Sequence, residues 1–117
     1  MEPFIYTASP GRVIFAPCAI AQVGDEIDRL GCRRALILST PFQRPDAARL
    51  AENLGARAAG IFSDAAMHTP VEVTDRAIQA YGAAGADCVV ALGGGSTIGL
   101  GKAIAWRNDA AQIVVAT

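Results

Sequence analysis

The hydrophobic positions of this chain alternate between two kinds of segment. Four near-continuous apolar runs are typical of strands buried on both faces of a sheet: 35–40, 58–62, 88–92 and 112–117. Four segments around and between them predict helices from apolar spacing or from boundary residues: 19–30, 45–54, 70–84 and 97–106. Strands that alternate with helices over short connections predict an open, mainly parallel α/β sheet with helices on both faces.

Turn and capping residues mark several ends of these segments. Alternating residues on both sides of Pro10-Gly11 predict a β-hairpin at the N-terminus. Residues 69–72, Thr-Pro-Val-Glu, match a capping box with the threonine as N-cap of the third helix. Gly31 and Gly85 stand where the first and third helices are expected to end, in the position that favours a left-handed glycine.

Composition and charge narrow the class of protein. The 117 residues are enough for one domain, with 52% apolar and 18% charged residues. A net charge of −1 without a basic or acidic tract argues against nucleic acid or an anionic membrane as partner. No apolar run approaches the roughly 20 residues of a bilayer span. The start, MEPFIYTASP, lacks the basic region of a signal peptide, so a cytoplasmic protein is expected.

Cysteine and histidine usage predicts no metal site. Cys18, Cys32 and Cys88 are an odd number of cysteines without CxxC spacing, which is typical of free thiols in a reducing cytoplasm. The single histidine, His68, together with scattered thiols does not make up a metal-ligand set. We therefore expect no metal to be bound by these residues.

The stretch ALGGGSTIGLGKAIA, residues 91–105, carries the candidate chemistry. It joins a buried strand to a helix through Gly93, Gly94, Gly95 and Ser96. In open parallel sheets ligands bind beyond the carboxyl ends of strands, where helix N-terminal N–H groups attract phosphate and glycine lets it approach the backbone. Ser96 can cap the helix or donate its hydroxyl to the anion. The alternative is a tight strand–helix turn without a ligand.

Two standard phosphate-binding motifs do not fit this stretch. A P-loop needs glycine where Ser96 stands and serine or threonine where Ala103 stands. The G-x-G-x-x-G fingerprint needs glycine in place of Ile98, and it follows the first strand of a sheet rather than a late one. If the stretch binds phosphate, it does so through a different signature.

The segment GGGSTIGLGKAIA resembles the signature of the iron-containing alcohol dehydrogenase superfamily. At position 99 the superfamily commonly has aspartate, whereas this chain has glycine, and in this it resembles the maleylacetate reductase branch. The same resemblance extends to three further segments: the opening FIY…RVIF, the MHTPVEV of 67–73 and the final VVAT. The resemblance implies that residues 1–117 form a Rossmann-like NAD(P)-binding domain. In the family an all-helical domain follows, and in metal-dependent members it holds the ion. We expect these 117 residues to bind NADH or NADPH without metal and to be inactive alone.

The resemblance also assigns individual residues. It places the pyrophosphate of NAD(P) on the GGGS turn. Ser39 and Thr40 offer hydroxyls where NADH-selective relatives often carry an acid, which predicts that NADPH is accepted. Thr117 corresponds to a threonine near the pyrophosphate and the nicotinamide end. His68 is a candidate substrate contact, although a surface or packing histidine is the commoner case.

The function implied by the resemblance is the reduction of maleylacetate to 3-oxoadipate in the breakdown of aromatic compounds. The expected partners are the dinucleotide, a dicarboxylate substrate, the chain's own helical domain and a second copy in a homodimer. Two alternatives stay open. One is the cofactor domain of a metal-dependent alcohol or glycerol dehydrogenase, against which Gly99 speaks. The other is a non-catalytic nucleotide-binding module.

Overall fold

A computed structural model of the chain describes residues 11–14 and 19–116. Within them lie five strands: β1 (Gly11–Ile14), β2 (Ala35–Leu38), β3 (Ala58–Phe62), β4 (Cys88–Gly93) and β5 (Ala111–Ala116). The same residues form four α-helices: α1 (Ala19–Arg29), α2 (Arg44–Leu54), α3 (Val71–Ala83) and α4 (Gly95–Asn108). Short 3₁₀ turns at Pro41–Gln43 and Gly55–Arg57 precede and follow α2.

The five strands form one parallel sheet in the order β1-β5-β4-β2-β3. After β2, the chain adds β3 on one side and then places β4 on the other side of β2. The strand order therefore reverses between β2 and β4, which makes their carboxyl ends the topological switch point where open α/β sheets bind ligands. The predicted α/β fold is confirmed.

Two apolar clusters cover the two faces of the sheet. On one face, Val23 and Ile27 of α1 and Leu50 of α2 pack with Ile37 and other inward residues of the strands. On the other face, residues of α3 and α4 pack with the alternate strand positions: Val73, Ala77, Leu100, Ile104, Leu36 and Val89. Successive residues of a strand point to opposite faces, so a sheet covered on both sides needs the near-continuous apolar runs seen in the sequence.

Most segment predictions agree with the structure to within two residues. The third strand has the predicted bounds, 58–62, and the first predicted parallel strand, 35–40, ends at Leu38. Gly31 and Gly85 have left-handed φ angles of 76° and 67° beyond the ends of α1 and α3. Helix α4 begins two residues before the predicted start at 97 and extends to Asn108.

The start of α3 and the N-terminal strand differ from what the sequence predicts. The capping box at 69–72 is wrong, because the N-cap of α3 is Pro70 and no side chain caps the helix. Thr69 has a left-handed φ of 44°, outside the extended region of an N-cap residue, and its hydroxyl lies beside α4 instead. The second strand of the predicted hairpin corresponds to β1, which pairs in parallel with β5, whereas residues 1–10 lie outside the described residues.

No helix in the described part of the chain is long and apolar enough to cross a membrane.

Candidate functional site

Three loops converge at the carboxyl edge of the sheet. The loop after β2 reaches the glycine turn after β4, because the side chain of Gln43 occupies the space where Gly93 would carry a Cβ. The loop after β3 lies against α4, since a Cβ on Gly99 would come within 2.8 Å of the Thr69 hydroxyl oxygen. The switch point is thus lined by loop segments from three strands that touch one another.

The three glycines of the turn differ in what the fold requires of them. Gly93 has φ 131°, a backbone conformation that L residues with side chains avoid, and its Cβ would overlap the Gln43 amide. Gly94 and Gly95 are exposed, and a Cβ on either would have no atom within 4 Å. Of the three positions, the fold therefore requires glycine only at Gly93. The space above Gly94 and Gly95 is open to a ligand.

The start of α4 directs unpaired backbone donors toward that space. Gly94 is the N-cap residue, without a side-chain cap, and its carbonyl accepts bonds from the N–H groups of Thr97 (3.2 Å) and Ile98 (3.0 Å). The N–H groups of Gly95 and Ser96 precede the first intrahelical bond, so the helix dipole and these donors favour an anion there. Ser96 lies in the first turn rather than at the cap, which leaves its partly exposed hydroxyl available to a ligand.

Two buried hydroxyls lie near the same turn. Ser39 and Thr97 are both 0% exposed, and neither hydroxyl has a hydrogen-bond partner in the part of the chain that the structure describes. The Thr97 oxygen lies 3.3 Å from the position of a Cβ on Gly93. A buried polar group without a partner costs about 1–3 kcal/mol. Polar groups at this edge are therefore less completely satisfied than is usual for a protein interior.

The predicted site residues occupy one edge of the sheet as far as the structure describes them. Ser39 is fully buried, and its backbone is held between two segments: its N–H donates to the Phe62 carbonyl (3.0 Å) and its carbonyl accepts from the Ala65 N–H (3.1 Å). Thr40 is partly exposed. The Ser39 hydroxyl is thus not on the surface that a ribose phosphate would approach. His68 is exposed in the loop after β3.

Thr117 lies outside the described residues. The last described pair of β5, Ala116 with Gly93, brings the end of that strand beside the glycine turn.

Sequence reasoning missed the contributions of Gln43 and Thr97. Gln43 follows a proline–phenylalanine turn that has no periodic pattern, and only the folded chain brings it to Gly93. Thr97 carried a signal, because it is the residue directly after the GGGS turn. A polar residue in the first turn of a helix that follows a candidate phosphate-binding loop is itself a candidate for contacting the ligand.

Exposed apolar side chains border the carboxyl edge. Phe42, in the turn after β2, is 95% exposed, and Met67, in the loop after β3, is 72% exposed. Val71, the first residue of α3, is 67% exposed. These side chains are a surface against which planar rings or another apolar segment could pack.

The thiols of Cys32 and Cys88 are not scattered, as the sequence suggested, but lie together at the opposite edge of the sheet. One ligand atom each of Cys32, Asp87 and Cys88 lie within 4.8 Å of one another. The Asp87 carboxylate accepts hydrogen bonds from the backbone N–H groups of Arg33 (2.8 Å) and Arg34 (2.9 Å). Burial raises the pKa of both thiols, which disfavours the thiolate that a metal would need. The arrangement closes a turn, and the prediction that these residues bind no metal stays a prediction.

Comparison with known proteins gives consistent matches. The family model for iron-containing alcohol dehydrogenase matches residues 10–116. A maleylacetate reductase of Rhizobium sp. (strain MTP-10005) is 65% identical over all 117 residues, and one of Burkholderia cepacia is 50% identical over 108 residues, 92% of the chain.

The fold also matches solved structures of maleylacetate reductases. The crystal structure of a maleylacetate reductase from Agrobacterium tumefaciens superposes with a TM-score of 0.87 at 65% identity over the whole chain. The chain spans about a third of the length of these proteins, 33% of the Rhizobium and Agrobacterium chains and 31% of the Burkholderia one.

Proposed function

Because the chain belongs to the iron-containing alcohol dehydrogenase family, we propose that it is the NAD(P)H-binding part of a maleylacetate reductase. The observation that carries this proposal is the pair of exposed glycines, Gly94 and Gly95, at the start of α4. Their missing side chains leave backbone donors accessible at a helix N-terminus, and a dinucleotide pyrophosphate is the ligand that such a turn suits. The residues present therefore fit the cofactor that the family implies.

Each part of the turn has its own role in the proposed binding. The N–H groups of Gly95 and Ser96 donate to the pyrophosphate, and the Ser96 hydroxyl adds a third donor. Gly93 and Gln43 fix the direction of the turn, so that these donors are oriented before the ligand arrives. The cofactor supplies the hydride when bound, and this chain's contribution is to bind and orient it.

A metal does not enter the proposed chemistry of these residues. In the part of the chain that the structure describes, Cys32, Asp87 and Cys88 form the one cluster with metal-ligand spacing, and it lies at the edge away from the glycine turn. The residues at the carboxyl edge therefore do not fit an iron site. We propose that any ion that the complete protein uses is held outside residues 1–117.

The proposed reaction is the NAD(P)H-dependent reduction of the carbon–carbon double bond of maleylacetate to 3-oxoadipate. Maleylacetate reductase is the name carried by relatives that are 65% and 50% identical to this chain. A dicarboxylate needs cationic partners and alignment against the nicotinamide, and alignment alone can supply about 7–11 kcal/mol of the barrier. We propose that residues beyond this third of the relatives' length supply both, so the 117 residues alone bind cofactor without turnover.

A metal-dependent alcohol or glycerol dehydrogenase is the second candidate, and one observation disfavours it. The aspartate that the superfamily commonly carries would stand at position 99, where even a Cβ comes within 2.8 Å of the Thr69 oxygen. The Thr69 side chain, or the loop that carries it, would have to shift to accept it. The structure around Gly99 is therefore better suited to glycine than to that aspartate.

Titration of the chain with NADH, followed by the fluorescence of the nicotinamide, tests cofactor binding directly. We expect saturable binding at one site. Turnover is tested separately by NADH oxidation with maleylacetate, with the Rhizobium relative as positive control, and we expect none from the 117 residues. A folded chain, checked by circular dichroism, that does not bind NADH would overturn the proposal. Turnover near that of the relative would overturn the division between binding and catalysis.

A further inference from the structure

A positive charge lies at the carboxyl edge on the side away from the glycine turn. Arg44 is the first residue of α2 and is exposed. Its guanidinium donates a hydrogen bond from Nη1 to the Ser63 hydroxyl oxygen at 3.3 Å. Because Ser63 directly follows β3, this bond ties the segment after β2 to the end of β3. The remaining guanidinium N–H groups are available to another acceptor.

The acidic groups around Arg44 are neutralised by other arginines. Asp46, in the same helical turn, pairs with Arg49 at 2.9 Å. Asp64, next to Ser63, pairs with Arg76 at 2.9 Å. Arg44 itself takes part in none of the ion pairs formed among residues 11–14 and 19–116. No carboxylate of the described residues therefore compensates its charge, which is the condition for attracting an anion.

The sheet order sets the distance between Arg44 and the phosphate turn. Strand β2 lies between β4, which leads into the glycine turn, and β3, which leads to Ser63. Two strand spacings, roughly 10 Å, separate the ends of β4 and β3. One nucleoside half of a dinucleotide can bridge such a distance. Thr40, partly exposed after β2, lies on this path, and no acidic residue occupies positions 39–43.

We propose that Arg44, together with the Thr40 and Ser63 hydroxyls, forms a subsite for the phosphate monoester on the adenosine ribose of NADPH. A guanidinium pairs with phosphate through two parallel hydrogen bonds, and the hydroxyls can donate to the remaining oxygens. The chain then prefers the 2′-phosphorylated dinucleotide over NADH. This inference rests on the proposed function, because it requires the pyrophosphate of the same ligand to bind at the glycine turn.

Two probes without nicotinamide separate the subsite from the rest of the ligand. The chain is titrated by calorimetry with ADP-ribose and with 2′-phospho-ADP-ribose, which differ only in the monoester. We expect the wild type to bind the phosphorylated probe about 10- to 100-fold more tightly, the range for a charge-assisted pair. Arg44→Ala should abolish this difference and leave the affinity for ADP-ribose within about two-fold. Arg44→Lys should keep part of it, because lysine retains the charge but not the planar pair of donors.

Arg33→Ala is the control, since it removes the same charge from an exposed arginine at the amino edge that takes part in no ion pair among the described residues, so no carboxylate near Arg44 loses its partner. It should leave the preference unchanged. The preference should also fall below pH of about 6, where the monoester gains a proton. Arg44→Ala should remove that pH dependence, whereas a merely structural role of Arg44 would leave it in place.

The outcomes distinguish this inference from the proposed function. If ADP-ribose binds but the wild type does not prefer the phosphorylated probe, the subsite is refuted and the cofactor proposal stands. The same holds if Arg44→Ala keeps the preference. If neither probe binds, both proposals fail.

Discussion

The two edges of this sheet are built from the same strands, but their polar groups differ in whether they have hydrogen-bond partners within the chain. At the amino edge, both oxygens of the Asp87 carboxylate accept backbone N–H bonds, and Arg34 donates to the carbonyl of Ala84 at 3.1 Å. At the carboxyl edge, the hydroxyls of Ser39 and Thr97 are buried without partners among the described residues.

The difference lies in which groups the exposed backbone N–H donors meet at each edge. Asp87 holds the chain before β2 against the chain before β4 through hydrogen bonds within the chain. The amino half of the sheet also contains one buried group without a partner among the described residues, the Gln112 side-chain nitrogen near the start of β5. At the carboxyl edge the exposed glycines and the first N–H groups of α4 face open space. Such groups gain partners only from water or a ligand, so changes at this edge should affect binding more than folding.

The largest effect is expected from a side chain on the open glycines. Gly94→Val or Gly95→Val places a branched side chain where the phosphate approaches, without meeting any atom of the fold within 4 Å of its Cβ. We expect the NADH Kd to rise by at least about 100-fold, equivalent to about 2.7 kcal/mol, with little change in thermal stability.

Gly82→Val, at an exposed helical glycine whose Cβ would also meet nothing within 4 Å, is the matched control. It should keep the wild-type Kd. An unchanged Kd in the Gly94 and Gly95 variants, with the fold intact by circular dichroism, contradicts the assignment of the pyrophosphate.

A change at the amino edge should show the reverse pattern. Asp87→Ala removes the acceptor for the N–H groups of Arg33 and Arg34, and we expect a loss of about 1–3 kcal/mol in the free energy of unfolding. The NADH Kd of the folded fraction should stay at the wild-type value. Urea denaturation and cofactor titration of the same preparation measure both quantities. A loss of affinity without a loss of stability would remove the distinction between the two edges.

A smaller effect is expected from an acid at the carboxyl end of β2. Thr40→Asp places a negative charge where a ribose 2′-phosphate would lie, and it should weaken NADPH binding by about 10-fold, or 1.4 kcal/mol. NADH binding should be unaffected or improved. Thr40→Asn, of the same shape without the charge, serves as control. Position 39 is unsuitable for this test, because a charge on the fully buried Ser39 would destabilise the fold. Equal effects on NADH and NADPH would argue against this location of the adenosine.

The strand positions could be predicted because burial on both faces leaves a continuous apolar run, as in β3 and β4. The glycine turn could be found because Gly93 to Gly95 interrupt that pattern at a strand end. The role of Thr69 could not, since its left-handed backbone and its contact with Gly99 depend on a distant helix. The burial of Ser39 likewise follows from hydrogen bonds to Phe62 and Ala65, which no local pattern records.

We propose that the carboxyl edge binds the dinucleotide and that the amino edge does not. Amide chemical shifts of the isotope-labelled chain, recorded with and without NADH, test it most directly. We predict large shifts for the N–H groups of Gly95 and Ser96 and shifts within experimental error for those of Arg33 and Arg34. Shifts confined to the amino edge, or an unchanged spectrum at saturating NADH, would contradict the account.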